Sequence, residues 1–167
     1  YFPENRKAQV KVNIDAGPLS DLDYNTIGII IGKRVGNYIP ALYGIPASAT
    51  NDNLKYLGAC AASSGSVALW HAVGVTPEAL LSDPFDGRAP VDEFTITRDM
   101  LTETEKSLCT KNPGEIDLYV TGCPHSSTAE VTKLAQLMEG RRVKPGKDMW
   151  IFTTAETNNM LKRSGVI

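Results

Sequence analysis

The residues best suited to chemistry lie in one short run of this 167-residue chain, Ile116–Ser127, which reads IDLYVTGCPHSS. Its apolar pattern predicts a strand that ends at Gly122, and Cys123 and His125 follow directly. Two serines then begin a predicted helix. We therefore expect a thiol at the carboxyl end of a strand and beside the amino end of a helix. Open α/β sheets bind ligands at that edge.

This position favours reactivity at Cys123, because a helix amino end carries partial positive charge and free N–H donors. A thiolate is favoured there and is then a better nucleophile or metal ligand. Three interpretations remain open. Cys123 binds a metal, or it is a nucleophile with His125 as its base, or it packs as a small apolar residue in a non-catalytic ligand-binding or interaction module. His125 as a structural cap is a further alternative.

Other polar or sulfur-bearing residues have ordinary structural interpretations beside the functional ones. Ser63 and Ser64 precede a glycine and suit either a bound carboxylate or phosphate, or the end of a helix. His71 lies inside an apolar run and is interpreted as a hydrogen-bonded core histidine. Cys60 is expected to pack within a helix, and Cys109 to be partly exposed without a role.

Composition excludes several classes of protein. The net charge of -2 and the isoelectric point near 5.7 give no nucleic-acid footprint. No apolar run approaches the ~18 residues of a membrane span. Three cysteines without a regular spacing argue against a disulfide scaffold and favour a reducing, cytoplasmic location. The chain begins at Tyr1 rather than at a methionine, so we expect a fragment of a longer protein.

Familiar motifs for phosphate, zinc or serine-hydrolase chemistry are absent from the sequence. It contains no P-loop, G-x-G-x-x-G, G-x-S-x-G, H-E-x-x-H or C-x-x-C pattern, and two histidines are too few for a histidine-rich metal site. Gly28, Gly32 and Gly36 recur every four residues in a predicted helix. This stripe predicts close packing of another backbone.

Strand and helix patterns alternate along the whole chain. A helix follows a cap at Asp21 or Asp23, and a short one begins at Thr76. Strands are predicted over 8–15, 38–45, 66–73, 93–97, 116–121 and 148–153, and Pro40 makes 38–45 an edge or irregular strand. Helices are predicted over 52–64, 98–109, 127–139 and 155–164. Gly65 is expected to stop the first of these helices, and a Ser127–Glu130 capping box to begin the third.

This alternation, without hairpin signals, predicts an α/β fold with a mostly parallel sheet and helices on both faces. The loop near 84–91 is the best internal boundary. It separates a first α/β unit, residues 1–83, from a second βαβα unit, residues 84–167, which carries Gly-Cys-Pro-His. One continuous domain is the alternative.

Three stretches resemble one known family. They are YNTIGIIIGKRVGNYIPALYGIP at 24–46, LGACAASSGSVALWHAVGVTPEA at 57–79 and IDLYVTGCPHSSTAEVTKLAQLMEGRRV at 116–143. In this order they are similar to the catalytic, large-subunit part of the aconitase X proteins, hydro-lyases of the aconitase superfamily. The resemblance implies a three-layer, aconitase-like arrangement of βαβα units.

The resemblance also implies an iron or iron–sulfur centre held by three cysteines from distant segments. Of these, only Cys123 matches a position in this chain; Cys60 and Cys109 match none. His125 and Ser126 would support the ligand from outside, and the family's Leu-Ser after the histidine is Ser-Ser here. The implied substrate is a small hydroxy acid such as cis-3-hydroxy-L-proline or 5-phosphomevalonate. The implied partner is a small swivel-type domain or small subunit, with no nucleic acid and no membrane.

Overall fold

Strands and helices alternate throughout the part of the chain that the computed structural model describes, residues 2–110 and 114–167. This confirms the predicted order of elements. After a short 3-10 helix at Pro3–Arg6, the elements are β1 Val10–Asp15, α1 Asp21–Val35, β2 Pro40–Tyr43, α2 Asn51–Gly65, β3 His71–Ala72, α3 Pro77–Leu81, β4 Asp92–Thr97, α4 Arg98–Leu108, β5 Leu118–Ser126, α5 Thr128–Met138, β6 Asp148–Thr153 and α6 Ala155–Ser164.

The strands form two separate parallel sheets. One has four strands in the order β3-β2-β1-β4, and the other pairs β5 with β6. The chain divides accordingly into two compact units, Tyr1–Thr110 and Lys111–Ile167. The predicted boundary after residue 83 is therefore misplaced. β4 pairs with β1 along its whole length, from Val10↔Asp92 to Asp15↔Thr97, and this ladder holds β4 in the first unit.

The core of the first unit lies between the helices and one face of the four-stranded sheet. Val12, Leu42 and Ile96 project from three neighbouring strands into this core, and Ile27 of α1 and Leu57 of α2 meet them there. All five side chains are fully buried. Burial of this apolar surface supplies the main force that holds α1 and α2 on the sheet.

The opposite face of the same sheet is more polar. Lys11 and Asn13 both contact Glu93 on the neighbouring strand, at 2.8 and 2.9 Å. The short helix α3 also lies on this side, because its Glu78 approaches His71 of β3. Helices therefore lie on both faces of a parallel sheet, as the alternation of elements predicts.

Glycines allow α1 and α2 to pack backbone against backbone. A Cβ at Gly28 would overlap Leu57 O, one at Gly32 would overlap the Ser64 hydroxyl, and one at Gly65 would overlap Gly32 O. The close packing predicted for Gly28 and Gly32 is confirmed. Gly36 differs, because it ends α1 with φ +63° instead of packing in the stripe.

Two predicted strands differ from those observed. The strand at 38–45 is not an edge strand: β2 pairs with both β1 and β3, and Pro40 is tolerated because it is the first strand residue. The run 66–73 contributes only His71–Ala72 to the sheet. Within this run only Val67, His71 and Ala72 are buried and Ala68 is exposed, so the apolar pattern overestimated both the length of the strand and its burial.

Helix caps also differ at two positions. Ser20 caps α1 and forms a capping box with Asp23, whereas Asp21 or Asp23 was predicted as the cap. The end of α2 falls at Ser66, in the left-handed conformation, rather than at Gly65. The predicted turn at 112–114 lies outside the described residues except for Gly114. Within the described helices, none is long and apolar enough to cross a membrane.

Candidate functional site

Strand β5 runs further than predicted and carries the Gly-Cys-Pro-His segment within it. The sequence placed its end at Gly122, but the strand continues to Ser126. Pairing with β6 is regular as far as Thr121↔Ile151 and resumes at Ser126↔Thr153. Four residues of β5, 122–125, therefore lie opposite the single residue Phe152. The segment bulges out of the ladder at the carboxyl end of the sheet.

The start of this bulge requires glycine. Gly122 has φ +105°, and a Cβ there would overlap the Phe152 carbonyl oxygen. The next peptide bond, Cys123–Pro124, is cis. The backbone at Gly122 therefore lies directly against β6 at the point where the chain leaves the strand pairing. This close contact sets the position of the neighbouring Cys123.

The end of the bulge is held by hydrogen bonds on both sides. The Thr153 hydroxyl donates to Ser126 O at 2.7 Å, and Ser126 is buried. Ser127 caps α5: its hydroxyl accepts from Glu130 N at 3.2 Å, and the Glu130 carboxylate accepts from Ser127 N at 2.6 Å. The predicted capping box is confirmed. It anchors the strand-to-helix junction directly after the bulge.

Cys123 is a free thiol on the exposed side of this bulge, and His125 is exposed two residues later. The thiol is thus accessible rather than buried among apolar side chains. Among the described residues, no group of three or more His, Cys, Asp or Glu side chains is arranged to hold a metal ion. The chain fits a sulfur-ligated centre as the donor of one thiolate, and such a centre would need its other ligands from elsewhere.

The serines named as candidates lie in the first unit, on the last turns of α2. The Ser63 hydroxyl donates to Cys60 O at 3.3 Å, and the Ser64 hydroxyl lies 2.7 Å from the same oxygen. Ser64 also lies 3.4 Å from Ile29 O of α1. The Ser64 hydroxyl thus lies where α2 meets α1, whereas the exposed Ser63 hydroxyl donates within its own helix, and a ligand role for either serine stays a prediction.

The remaining predicted residues have structural surroundings. His71 is buried, and its Nε2 lies 2.7 Å from Arg6 O, so it is the hydrogen-bonded core histidine that was expected. The Cys60 thiol donates to Asn25 Oδ1 at 3.4 Å, between α2 and α1. Cys109 is exposed at the end of α4.

Sequence reasoning missed an arginine at the carboxyl edge of the four-stranded sheet. Arg98 directly follows β4, and its guanidinium donates to Ala16 O at 2.9 and 2.5 Å, to Pro18 O at 2.6 Å and to Asp23 Oδ1 at 2.7 Å. Two of its three partners, Ala16 and Pro18, belong to the loop between β1 and α1, and the third, Asp23, lies in the first turn of α1. The sequence carried no signal for this, because the partners lie 75 to 82 residues away.

Asp23 is the acidic partner in this cluster. Burial alone would raise the pKa of its carboxyl group, but hydrogen bonds from Ser20 N–H, Arg98 and the Ser20 hydroxyl together hold the pKa below its ordinary value. The Ser20 N–H lies 2.7 Å from Asp23 Oδ2. One carboxylate therefore caps α1 and neutralises Arg98.

Each compact unit matches one family model. Residues 8–106 match the aconitase X second domain, and residues 116–167 match the aconitase X third domain. The chain belongs to the aconitase X family. Residue ranges of the two models fall within the two units of the structure, so the aconitase X domain division agrees with the compact units and places Cys123 in the third domain.

Relatives in the aconitase X family include two kinds of dehydratase. The chain is 38% identical over 156 residues to the phosphomevalonate dehydratase large subunit of Methanosarcina mazei, covering 93% of this chain and 36% of that relative. It is 36% identical over 148 residues to the cis-3-hydroxy-L-proline dehydratase of Pseudomonas aeruginosa, covering 87% of this chain and 26% of the relative.

A solved structure shares the fold. The holo-form of aconitase X from Thermococcus kodakaraensis superposes with a TM-score of 0.85 at 30% sequence identity, covering 98% of this chain and 41% of that one. The chain thus spans roughly a quarter to two fifths of the length of these relatives. The α/β class and the aconitase-like architecture are confirmed by this match.

Proposed function

We propose that this chain is part of a hydro-lyase that dehydrates a small hydroxy acid with the help of an iron or iron–sulfur centre. Cys123 is one of three cysteine ligands of that centre, and the other two lie outside the chain. The observation that carries the proposal is the exposed thiol on the bulge at residues 122–125. Membership of the aconitase X family supports the reaction type, because the relatives described above are named as dehydratases.

The residues around the thiol suit a fixed ligand. Gly122 and Ser126 hold the two ends of the bulge against β6, so the backbone that carries Cys123 is anchored on both sides. His125 and Ser126 follow Cys123 by two and three residues, and their proposed role is to orient the thiol from outside, as residues around metal ligands do. A thiolate-held iron with an open position supplies a Lewis acid for a substrate hydroxyl.

The substrate is proposed at the level of its chemical class. The relatives are named for phosphomevalonate and for cis-3-hydroxy-L-proline, both of which carry a hydroxyl and a carboxylate, and the described residues favour neither. The phosphomevalonate enzymes are named as large subunits. A small swivel-type subunit or domain is accordingly the proposed partner.

The decisive experiment replaces Cys123 by serine in the longer protein that contains this chain. We expect iron content and the visible absorption of the centre to fall to background, and dehydration of whichever of the two compounds the wild type accepts to stop. A serine hydroxyl is a poor substitute for a thiolate, which is the ligand that iron–sulfur centres use. Cys109→Ser is the matched control, because Cys109 is equally a free, exposed thiol and should leave iron content and turnover unchanged.

A second measurement separates this proposal from a thiol enzyme. If Cys123 were a nucleophile with His125 as its base, metal-free protein would remain active and iodoacetamide would inactivate it by labelling Cys123. Normal iron content and turnover in Cys123→Ser would contradict the metal-ligand assignment. Normal iron with lost turnover would favour the nucleophile instead.

A further inference from the structure

A cleft opens on the more polar face of the four-stranded sheet, and all the residues that line it belong to the first unit. Its volume is about 360 Å³, which lies within the usual range of small-molecule sites. The 3-10 helix at Pro3–Arg6, strand β3 and helix α3 each contribute to its walls. A smaller hollow of about 250 Å³ lies beside it and shares Arg6, His71 and Glu78 with it.

His71 is the buried polar side chain that faces this cleft. The residue is only 3% exposed, yet it lines both the cleft and the smaller hollow. Its Nε2 lies 2.7 Å from Arg6 O. Because a carbonyl oxygen can only accept, Nε2 is the nitrogen that carries the hydrogen. In the neutral ring, Nδ1 is therefore a hydrogen-bond acceptor.

The group nearest to this acceptor is a second acceptor. Glu78 Oε2 lies 3.8 Å from His71 Nδ1, which is too far for a hydrogen bond, and an ionised carboxylate has no hydrogen to donate. The other oxygen of Glu78, Oε1, accepts from Arg6 at 2.7 and 2.8 Å. Among residues 2–110 and 114–167, none donates a hydrogen bond to Nδ1. Two acceptors thus face each other across a gap that a donor from outside the fold could fill.

The gap fits a group with at least two N–H bonds. Two acceptors 3.8 Å apart can both be reached by one nitrogen that lies about 2.9 Å from each. A hydroxyl group has a single hydrogen and can donate to only one of them, whereas an amino or ammonium group can donate to both. The Glu78 carboxylate favours the ammonium form, because hydrogen bonds that involve ionised groups are roughly twice as strong as neutral ones.

The charges on the walls of the cleft disfavour an anionic ligand. Both cations that line it are already paired with carboxylates, Arg6 with Glu78 at 2.7 Å and Lys7 with Asp86 at 3.3 Å. Asp83 also lines the cleft, and its carboxylate, which accepts two backbone N–H groups, adds a further negative charge. An anion would have to compete with these carboxylates, whereas a cation would not.

We propose that this cleft binds a small molecule through a primary amino group, which lies as an ammonium ion between His71 Nδ1 and Glu78 Oε2. Pro3 and Pro84 in the cleft, and Trp70 in the smaller hollow, supply apolar surface for the carbon skeleton of such a ligand. The proposal depends neither on Cys123 nor on the proposed dehydratase function.

NMR of the imidazole nitrogens of His71, in the longer protein that contains this chain, tests the proposal. The probes are n-butylamine and 2-phenylethylamine, with 2-phenylethanol and 3-phenylpropionate as matched neutral and anionic compounds. At neutral pH and millimolar concentration, we expect both amines to shift the Nδ1 resonance of His71, and the alcohol and the carboxylate to leave it in place. His125 is the internal control, because it is an exposed histidine of the second unit.

Variants test the two acceptors separately, with calorimetry of 2-phenylethylamine binding as the measurement. Glu78→Gln keeps an oxygen for Arg6 but removes the charge, so binding should weaken about tenfold or more, the scale of a hydrogen bond to a charged group. His71→Gln keeps an N–H for Arg6 O but removes the acceptor at Nδ1, and it should weaken binding similarly. Glu103→Gln, an exposed position on α4, is the matched control and should bind as the wild type does.

Several results would overturn this inference. If neither amine shifts His71, the gap between the two acceptors holds at most water and the proposal is wrong. If 2-phenylethanol or 3-phenylpropionate shifts His71 as strongly as 2-phenylethylamine does, the site does not select an ammonium group. If His71→Gln does not fold, an unchanged affinity in Glu78→Gln contradicts the proposal by itself.

Discussion

Single side chains join distant segments of this protein, and Asp23 shows how. It closes the capping box of α1 through Ser20 and accepts a hydrogen bond from Arg98 at the start of α4. The capping part is local and could be read from a serine three residues before an acidic residue. The hydrogen bond from Arg98 depends on the pairing of β1 with β4, and no short sequence pattern predicts that pairing.

The lowered pKa of Asp23 predicts an acid-sensitive contribution to stability. Because the folded-state pKa lies below the ordinary value near ~3.9, the stabilisation is complete above that value and is lost as pH falls through the folded pKa. At pH 7, Asp23→Asn should lower the free energy of unfolding by about 2 kcal/mol, the scale of a hydrogen bond to a charged group.

Chemical denaturation of the 167-residue chain at pH 7 and near pH 3 would check this. The difference between wild type and Asp23→Asn should shrink at the lower pH. Asp99→Asn is a suitable control, because Asp99 is an exposed residue in the first turn of α4. An equal difference for Asp23→Asn at both pH values would contradict the assignment.

The packing of α1 against α2 depends on glycines, which have no side chain, as much as on the apolar side chains of the two helices. Helices α1 and α2 approach so closely that Gly32 and Gly65 lie backbone to backbone. The glycine spacing predicted this for α1. It did not identify Gly65, which was expected to stop α2 and instead lies within it.

We predict that Gly65→Ala is strongly destabilising, by about 3 kcal/mol or more, because the new methyl group would overlap Gly32 O and only backbone movement could relieve it. Gly58→Ala, in the same helix, is the control. There the Cβ would lie 3.1 Å from Trp70 Nε1, and the helix propensity of alanine favours the change by roughly 1 kcal/mol. Thermal unfolding of Gly65→Ala and Gly58→Ala tests this prediction. Similar melting temperatures for the two variants would contradict it.

The second unit, considered as a whole, exposes apolar surface on its sheet. Leu118, Val120, Trp150 and Phe152 project from one face of β5 and β6, and each is about half exposed. Parallel sheets are normally covered on both faces, and a two-stranded sheet is marginal alone. This face is therefore expected to bind apolar molecules wherever it meets water.

Binding of an apolar dye by the 167-residue chain tests that expectation. The fluorescence of anilinonaphthalene sulfonate should rise strongly on mixing and fall by about half or more in Trp150→Ser, since large exposed patches act as binding surfaces. Val91→Ser is the control, because Val91 is an exposed apolar side chain of the first unit and not of the β5–β6 sheet. Equal dye binding in both variants would show that the sheet face is not the binding surface.

Sequence patterns alone determined those features of this protein that depend on local interactions. Apolar periodicity gave the alternating order of strands and helices. The Ser127–Glu130 spacing gave the cap of α5, and the run around Cys123 gave an accessible thiol, although it lies within β5 and not after it. Each depends on residues a few positions apart, so the chemistry of a short segment is enough to predict it.

Only the tertiary structure decided which strands are neighbours and what their loops contact. It placed β4 beside β1 and not in the second unit, made β2 an inner strand, carried β5 through the Gly-Cys-Pro-His bulge, and brought Arg98 to the loop at residues 16–20. These outcomes depend on pairings between segments far apart in the chain. Their energies come from burial and hydrogen bonds that exist only once both partners are in place.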